Sequence, residues 1–597
     1  MRAPRFPIVC AVVMAAMSLS AHGQTGVHDN LEKLAQDITF TSARLYPMEA
    51  TTLGIAGHDA ELETPSEAFR AAYVARLKQW QQQLQAMTAT FTPGTSLVER
   101  DDARLLGAQL EAQLNSLLLY KQDRKDYSQA ANNVVQTIFL QFQNLPVLGQ
   151  DGAKVEDVAK AWNDIIARLA KAPEYIVAAQ RLATSPGHLY GVVGSKQLAG
   201  VPEFFNNALT SAAKAQLGAT SKTYAGFIKA RDATLAVIAQ TKSYIDAHDA
   251  AWPENYAMGR KAYDRMLQRE LLIPFNANDL EQMGQDELAH GWAEEGWLGH
   301  LAKHNSTPFG AQSGGGMAPG GAALINYYQQ RIAELRKFVV DNQIVTIPAW
   351  LGSIVVTVTP PFLQPVSPGA WMRSPRKFSS STTGYYFITP PTSLADAAAR
   401  LDMNQDFDHD RILSTAAHEV MPGHFLQLSI ARRHPDFIRK MQDSGEFAEG
   451  WAYYGEEMFV QLGLYGSNLD GRLFTARWER VRGARAIVDL KLASGEWTFE
   501  QAVDFFVANA GFTRQDSEEA LSGYATEPGY VISYTTGRLQ LENLLGDYLK
   551  KMGDRGSLHD FHDRLLSYGT TPFSIVAPEL LADLDKPVTQ VRAAANY

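Results

Sequence analysis

The sequence has one cysteine, Cys10, in 597 residues. It lies in a segment that reads as a cleaved leader, so the processed chain has no thiol for a disulfide or a nucleophile. A chain of this length buries enough surface to fold without covalent staples. There is no Gly-x-Ser-x-Gly elbow, no internal repeat and no His-Glu-x-x-His pentad. Their absence removes the usual serine-hydrolase signature and the regular zinc helix. After the leader no run of about 18 apolar residues could span a bilayer, so no integral membrane segment is expected. Positive charge is in deficit, with 54 Lys+Arg against 64 Asp+Glu and a net charge of −10. That balance argues against nucleic acid or an anionic membrane surface as a partner.

The N-terminus has the order of a secretory signal. Arg2 and Arg5 precede an apolar stretch over 8–19, and Ser20-Ala21-His22-Gly23 offers a small-x-small cleavage pattern after Gly23. Cys10 stands too early in the apolar run to be a lipidated residue. The expected parts are a signal peptide (1–23), an N-terminal helical region (24–273) and a catalytic region (274–597).

Helical periodicity dominates from 28 to 272, for example over 69–87, 99–120 and 155–182, where apolar residues recur at three- and four-residue steps. A break follows near Ile273-Pro274, with Asn276 or Asn278 as the next N-cap and a helix running to about His304. The scattered glycines of 310–321 lack a phosphate-loop pattern and read as a surface loop or lid. The segments 344–347, 353–359 and 385–389 are β-branched or aromatic, and the prolines at 360, 361, 365, 368 and 375 exclude helix there. They predict two to four strands within about 344–390. Helix returns from Asp408. The fold class is therefore mainly α, with two helical lobes around a cleft and a small sheet near it.

One constellation carries chemistry. His418-Glu419 is followed by His424, six residues after the first histidine. On a straight helix six residues turn about 600°, leaving the two side chains roughly 120° apart with about 9 Å of rise. They could not share a metal ion at about 2.1 Å. The intervening Pro422-Gly423 changes that expectation. Pro422 has no N–H for the His418 carbonyl, and Gly423 lets the chain re-aim. A widened or kinked turn would return His424 to the His418 face. A third ligand is expected from a following helix, where Glu449 and Glu456 are seven apart and share a face. One could ligate while the other braces a histidine.

The segment HEVMPGHFLQ from His418 to Gln427, with Glu449-Gly450-Trp451-Ala452 downstream, resembles the bacterial DUF885 family. The resemblance continues through Arg485-Ala486-Ile487-Val488-Asp489 and around Pro528-Gly529-Tyr530 to Gly537. That family is similar to gluzincin-type zinc peptidases. The resemblance implies a metallopeptidase-like architecture, one Zn2+ per chain held by His418, His424 and Glu449, and Glu419 as general base. It also draws attention to Tyr534. The chain departs from the family pattern at Gly523-Tyr524, where an Arg-Tyr pair is common, and at Ala493, near a frequent histidine.

The expected activity is metal-assisted hydrolysis of peptide bonds in a protein secreted across the inner membrane into the periplasm. Glu419 would move the water proton to the leaving amine. Tyr534, with Tyr530 behind it, is the candidate donor to the developing oxyanion. Arg485 and Arg538 are candidates to hold a peptide carboxylate. The competing readings are hydrolysis of another amide and a non-catalytic helical binding protein. Glu287-Leu288-Ala289-His290 matches one half of a di-iron helix pair, and no second half is present. His559 and His562 read as a solvated helix face.

Overall fold

Periodic burial of apolar side chains organises the chain as a mainly helical protein around several cores. The computed structural model describes residues 11–148, 153–304, 318–367, 369–390 and 408–597. The helices that matter here are α1 (Ala11–Leu45), α2 (Gln129–Gln143), α3 (Val155–Gln180), α4 (Lys222–His248) and α5 (Ala277–His304). After the sheet come α6 (His409–Glu419), α7 (His424–Ala431), α8 (Gly445–Gln461), α9 (Leu469–Ser494), α10 (Ser533–Met552) and α11 (Leu558–Leu566). The expected cap at the start of α5 is Asn276, whose side-chain oxygen accepts from the backbone N–H groups of Asn278 (2.8 Å) and Asp279 (3.3 Å).

α1 runs unbroken through Gly23, the expected cleavage point, and residues 1–10 lie outside the described residues. Most of the expected 310–321 loop also lies outside them. No helix among the described residues is long and apolar enough to cross a membrane.

The sheet has three strands, β1 (Ile354–Val358), β2 (Ala370–Arg373) and β3 (Gly384–Ile388). Their order is β1-β3-β2, with β1 parallel and β2 antiparallel to β3. Alternation along β3 joins two cores. Tyr386 and Ile388 enter a core built from α6, α7, α8 and α11, including Ile412, Phe425, Trp451 and Phe561. Phe387 enters the other, with Trp162 of α3 and Phe227 of α4. A third core joins Leu31, Trp80 and Leu106 to Ile438 and Ile575, so it crosses residue 273 in sequence.

Two expectations are corrected. The segment 344–347 is not a strand. Ile344 and Val345 are buried, but their stretch is tied down by α11 instead of by a ladder. The Ile344 carbonyl pairs with His562 Nδ1 at 2.8 Å, and the Thr346 N–H donates to Asp563 at 2.9 Å. For the same reason His562 is not on a solvated face. It is fully buried, edge-on to Trp451 with the rings 5.2 Å apart.

Candidate metal centre

The local fold at Pro422-Gly423 decides where both histidines point. Asp408 caps the start of α6 by accepting from the N–H groups of Asp410 and Arg411, each at 3.0 Å. At the other end, the Met421 N–H reaches back to Ala416 O (3.1 Å) and the Gly423 N–H to Ala417 O (3.1 Å). These are five- and six-residue steps instead of four, so the turn is wide. A Cβ on Gly423 would lie 1.7 Å from the His418 carbonyl oxygen, which makes glycine obligatory there. The Trp451 indole N–H donates to the Pro422 carbonyl at 2.9 Å and ties the turn to α8.

α7 then restarts at His424 with its ring 4.8 Å from that of His418, at 87°. Both Nε2 atoms converge on one oxygen of Glu449, at 3.2 Å from His418 and 3.4 Å from His424. Metal–ligand distances of about 2.1 Å in a tetrahedron place neighbouring ligand atoms about 3.4 Å apart. The two histidine–Glu449 edges match that spacing. Glu419 brings a carboxylate oxygen within 4.8 Å of both histidines. Glu449 sits at contact distance to both, so it would be the better ligand, with Glu419 the flanking carboxylate.

The surroundings fit a cation. Glu449 Oε2 is buried and makes a well-formed hydrogen bond with neither histidine. Burial opposes charge on His418, but the carboxylates of Glu449 and Glu456 beside its two ring nitrogens prevail and push its pKa up to about 10. Burial works against the Glu449 carboxylate too, yet His424 and His418 hold it well below the usual range. Glu419 is shifted the other way, upward, mainly by burial. A pocket that favours positive charge this strongly is suited to a divalent ion, which would compete with protons for His418.

The bracing is complete on one side. His418 Nδ1 donates to Glu456 at 2.6 Å, which turns Nε2 toward Glu449. Arg482 of α9 holds Glu456 with both of its terminal nitrogens, at 2.6 and 3.1 Å. The Tyr530 hydroxyl donates to the other Glu449 oxygen at 2.6 Å. The nearby Glu449 charge raises the Tyr530 pKa far above its ordinary value, so this hydroxyl remains a donor. Tyr534 lies flat against His418, with rings 6.0 Å apart at 18°.

The site opens into a cleft of about 840 Å3. Its walls include Asn133 of α2, Trp371 of β2, Arg482 and Arg485 of α9, and Tyr524. Of the residues expected at the site, His418, His424, Glu449, Glu419, Tyr530, Tyr534 and Arg485 all line this cleft. Arg538 does not, which corrects its expected role. It is buried in an ion-pair cluster that takes up both of its terminal nitrogens, with Glu287, Glu457 and Glu542. The same cluster absorbs Glu287 of the Glu-x-x-His match. Sequence reasoning missed Arg482, Trp451 as a tether, and the polar face of α2 (Gln129, Asn132, Asn133, Gln136). The one usable signal was Arg482 three residues before Arg485, on one helix face.

The chain belongs to a bacterial family described as proteins of unknown function, DUF885, whose pattern matches residues 47–580. It is similar over 92% of its length to 99% of a candidate lipoprotein of unknown function from Shewanella oneidensis, at 20% identity and a TM-score of 0.70. A candidate lipoprotein from Colwellia psychrerythraea gives 16% identity and a TM-score of 0.75, over 94% of this chain and 99% of that one. These likenesses show a shared fold. No curated protein matches the chain.

Proposed function

We propose that this protein is a metal-dependent hydrolase of peptide bonds, with a two-lobed, metallopeptidase-like architecture around the cleft. The observation that carries the proposal is the convergence of His418, His424 and Glu449 at tetrahedral-edge spacing, with Glu419 beside them. His418, His424 and Glu449 would hold a Zn2+ ion, which would supply Lewis acidity to a water molecule and to the substrate carbonyl.

The chain's own residues perform the rest. Glu419 accepts the water proton and delivers it to the leaving nitrogen. Its burial raises its proton affinity, which suits a group that must hold a proton between two steps. Glu456 and Arg482 fix the His418 ring, and Tyr530 fixes Glu449. Tyr534, facing the cleft beside His418, donates to the developing oxyanion. The leader-like N-terminus supports action outside the cytoplasm, in the periplasm.

The test is digestion of a defined peptide library by the zinc-loaded protein, read by mass spectrometry, beside Glu419→Gln. The proposal expects cleavage by the parent and a loss of at least 100-fold in the variant, with zinc retained. A parent protein that carries zinc and cleaves no peptide would overturn it.

A further inference from the structure

α9 turns three arginines inward, and two of them are neutralised. Arg480 pairs with Glu295 at 2.7 Å and Arg482 with Glu456. Arg485 has no carboxylate partner among the described residues, and its Nε is buried without a hydrogen bond. Three aromatic rings surround its guanidinium instead, Trp478 at 5.0 Å and Tyr524 and Tyr534 at 5.5 Å each. Rings hold a guanidinium by its faces and leave its N–H edge available. Arg485 lines the cleft, and Tyr534 is the ring that lies beside His418. The cleft's ammonium group, Lys196, is already paired with Glu519 at 3.1 Å. Arg485 is therefore the guanidinium or ammonium lining the cleft that, among the described residues, lacks an anion. Much of the remaining charged lining is acidic, including Asp126, Asp516 and Glu527.

We infer that Arg485 is a specificity residue that receives a carboxylate of the substrate through a two-point pair. The source of that carboxylate is the C-terminus of a short peptide or an acidic side chain within it. In a cleft otherwise rich in acids, this is the place where an anion is favoured, so it sets which end of a peptide approaches the metal. A C-terminal carboxylate held here makes the enzyme trim peptides from their C-terminal end. The inference rests on the proposed hydrolase reading for the bond cleaved, but not for the binding.

The test is calorimetric binding to the zinc-loaded Glu419→Gln protein, whose turnover is expected to be at least 100-fold lower. Three peptides share one neutral sequence: one with a free C-terminus, one amidated, and one amidated with an internal glutamate. Charge-assisted pairing predicts that the free acid binds about 10- to 100-fold more tightly than the amide. Arg485→Gln should erase that difference, and Arg485→Lys should restore only part of it. Recovery of affinity by the internal glutamate would identify the acidic side chain as the source. Equal affinity for all three peptides, or a preference that survives Arg485→Gln, would overturn the inference. The comparison of acid with amide needs no change at Arg485, so it stands even where that variant folds poorly. Arg485-dependent carboxylate binding without hydrolysis in the parent would sink the peptidase reading and leave this one intact.

Discussion

Glu456 decides which nitrogen of His418 faces Glu449, so it shapes the proposed metal centre through that histidine. Glu456→Gln keeps the shape but weakens the hold on His418 Nδ1 and strands Arg482. Zinc affinity should fall about 10- to 100-fold, measured by chelator competition. Unchanged affinity would show that the brace is idle. At this scale much of the site was legible in the sequence. His418, Glu419 and His424 share one short segment, and Glu449 and Glu456 follow at helical spacing. Arg482 and the Trp451 tether were not legible, since each acts on a residue more than 20 positions away. His562 was misread because a two-histidine face looks solvated until α11 is seen packed on Trp451. Burial lowers its pKa to about 4 from the ordinary 6.5. Above pH 6.5 both folded and unfolded chains carry it neutral. As pH falls from 6.5 toward 4 only the unfolded chain takes the proton, so stability drops by up to about 3 kcal/mol. His562→Gln should flatten the unfolding free energy over that window, and an unchanged pH slope would contradict the assignment.

Helix crossings place the side chains of the candidate site. α8 and α10 meet at Gly450 and Gly537, where a Cβ on Gly537 would lie 1.9 Å from the Glu446 carbonyl oxygen and 2.7 Å from the Gly450 Cα. The glycine of Glu-Gly-Trp-Ala is thus a packing residue between two helices that flank the candidate site. Gly537→Ala must push the helices apart, at a cost of roughly 1–3 kcal/mol in urea unfolding. Zinc affinity should fall with it, because α8 carries both Glu449 and Glu456. Loss of stability with full affinity would show that the crossing does not position the site. Elements were well predicted where periodicity was long, as for α3 and α5. β2 went unseen because four residues between proline-rich turns give too short a pattern for alternation. The 344–347 run looked like a strand because apolar β-branched residues fit either a ladder or a buried loop.

Across the whole molecule, N-terminal helices and the region that carries the candidate site share cores and are clamped by a buried charge. Arg439 joins Asp102 at 2.8 Å to Glu579 at 2.7 Å. Arg439→Met leaves buried Glu579 without its cation and Asp102 with only the partly exposed His28 at 3.6 Å, and should cost about 3–5 kcal/mol, seen as a lower urea midpoint. A neutral result would mean that those acids find water. Sequence alone gave no sign of this link, because its three residues are spread over most of the chain. The account as a whole depends on the wide turn at Pro422-Gly423 bringing two histidines to one carboxylate. Zinc titration of the chelator-stripped protein tests this most directly. The parent and Glu419→Gln should each take up one ion per chain tightly, and Glu449→Ala should bind at least 100-fold more weakly. A parent that takes up no stoichiometric zinc, or a Glu449→Ala protein that binds as the parent does, would contradict the assignment of His418, His424 and Glu449 as a metal site.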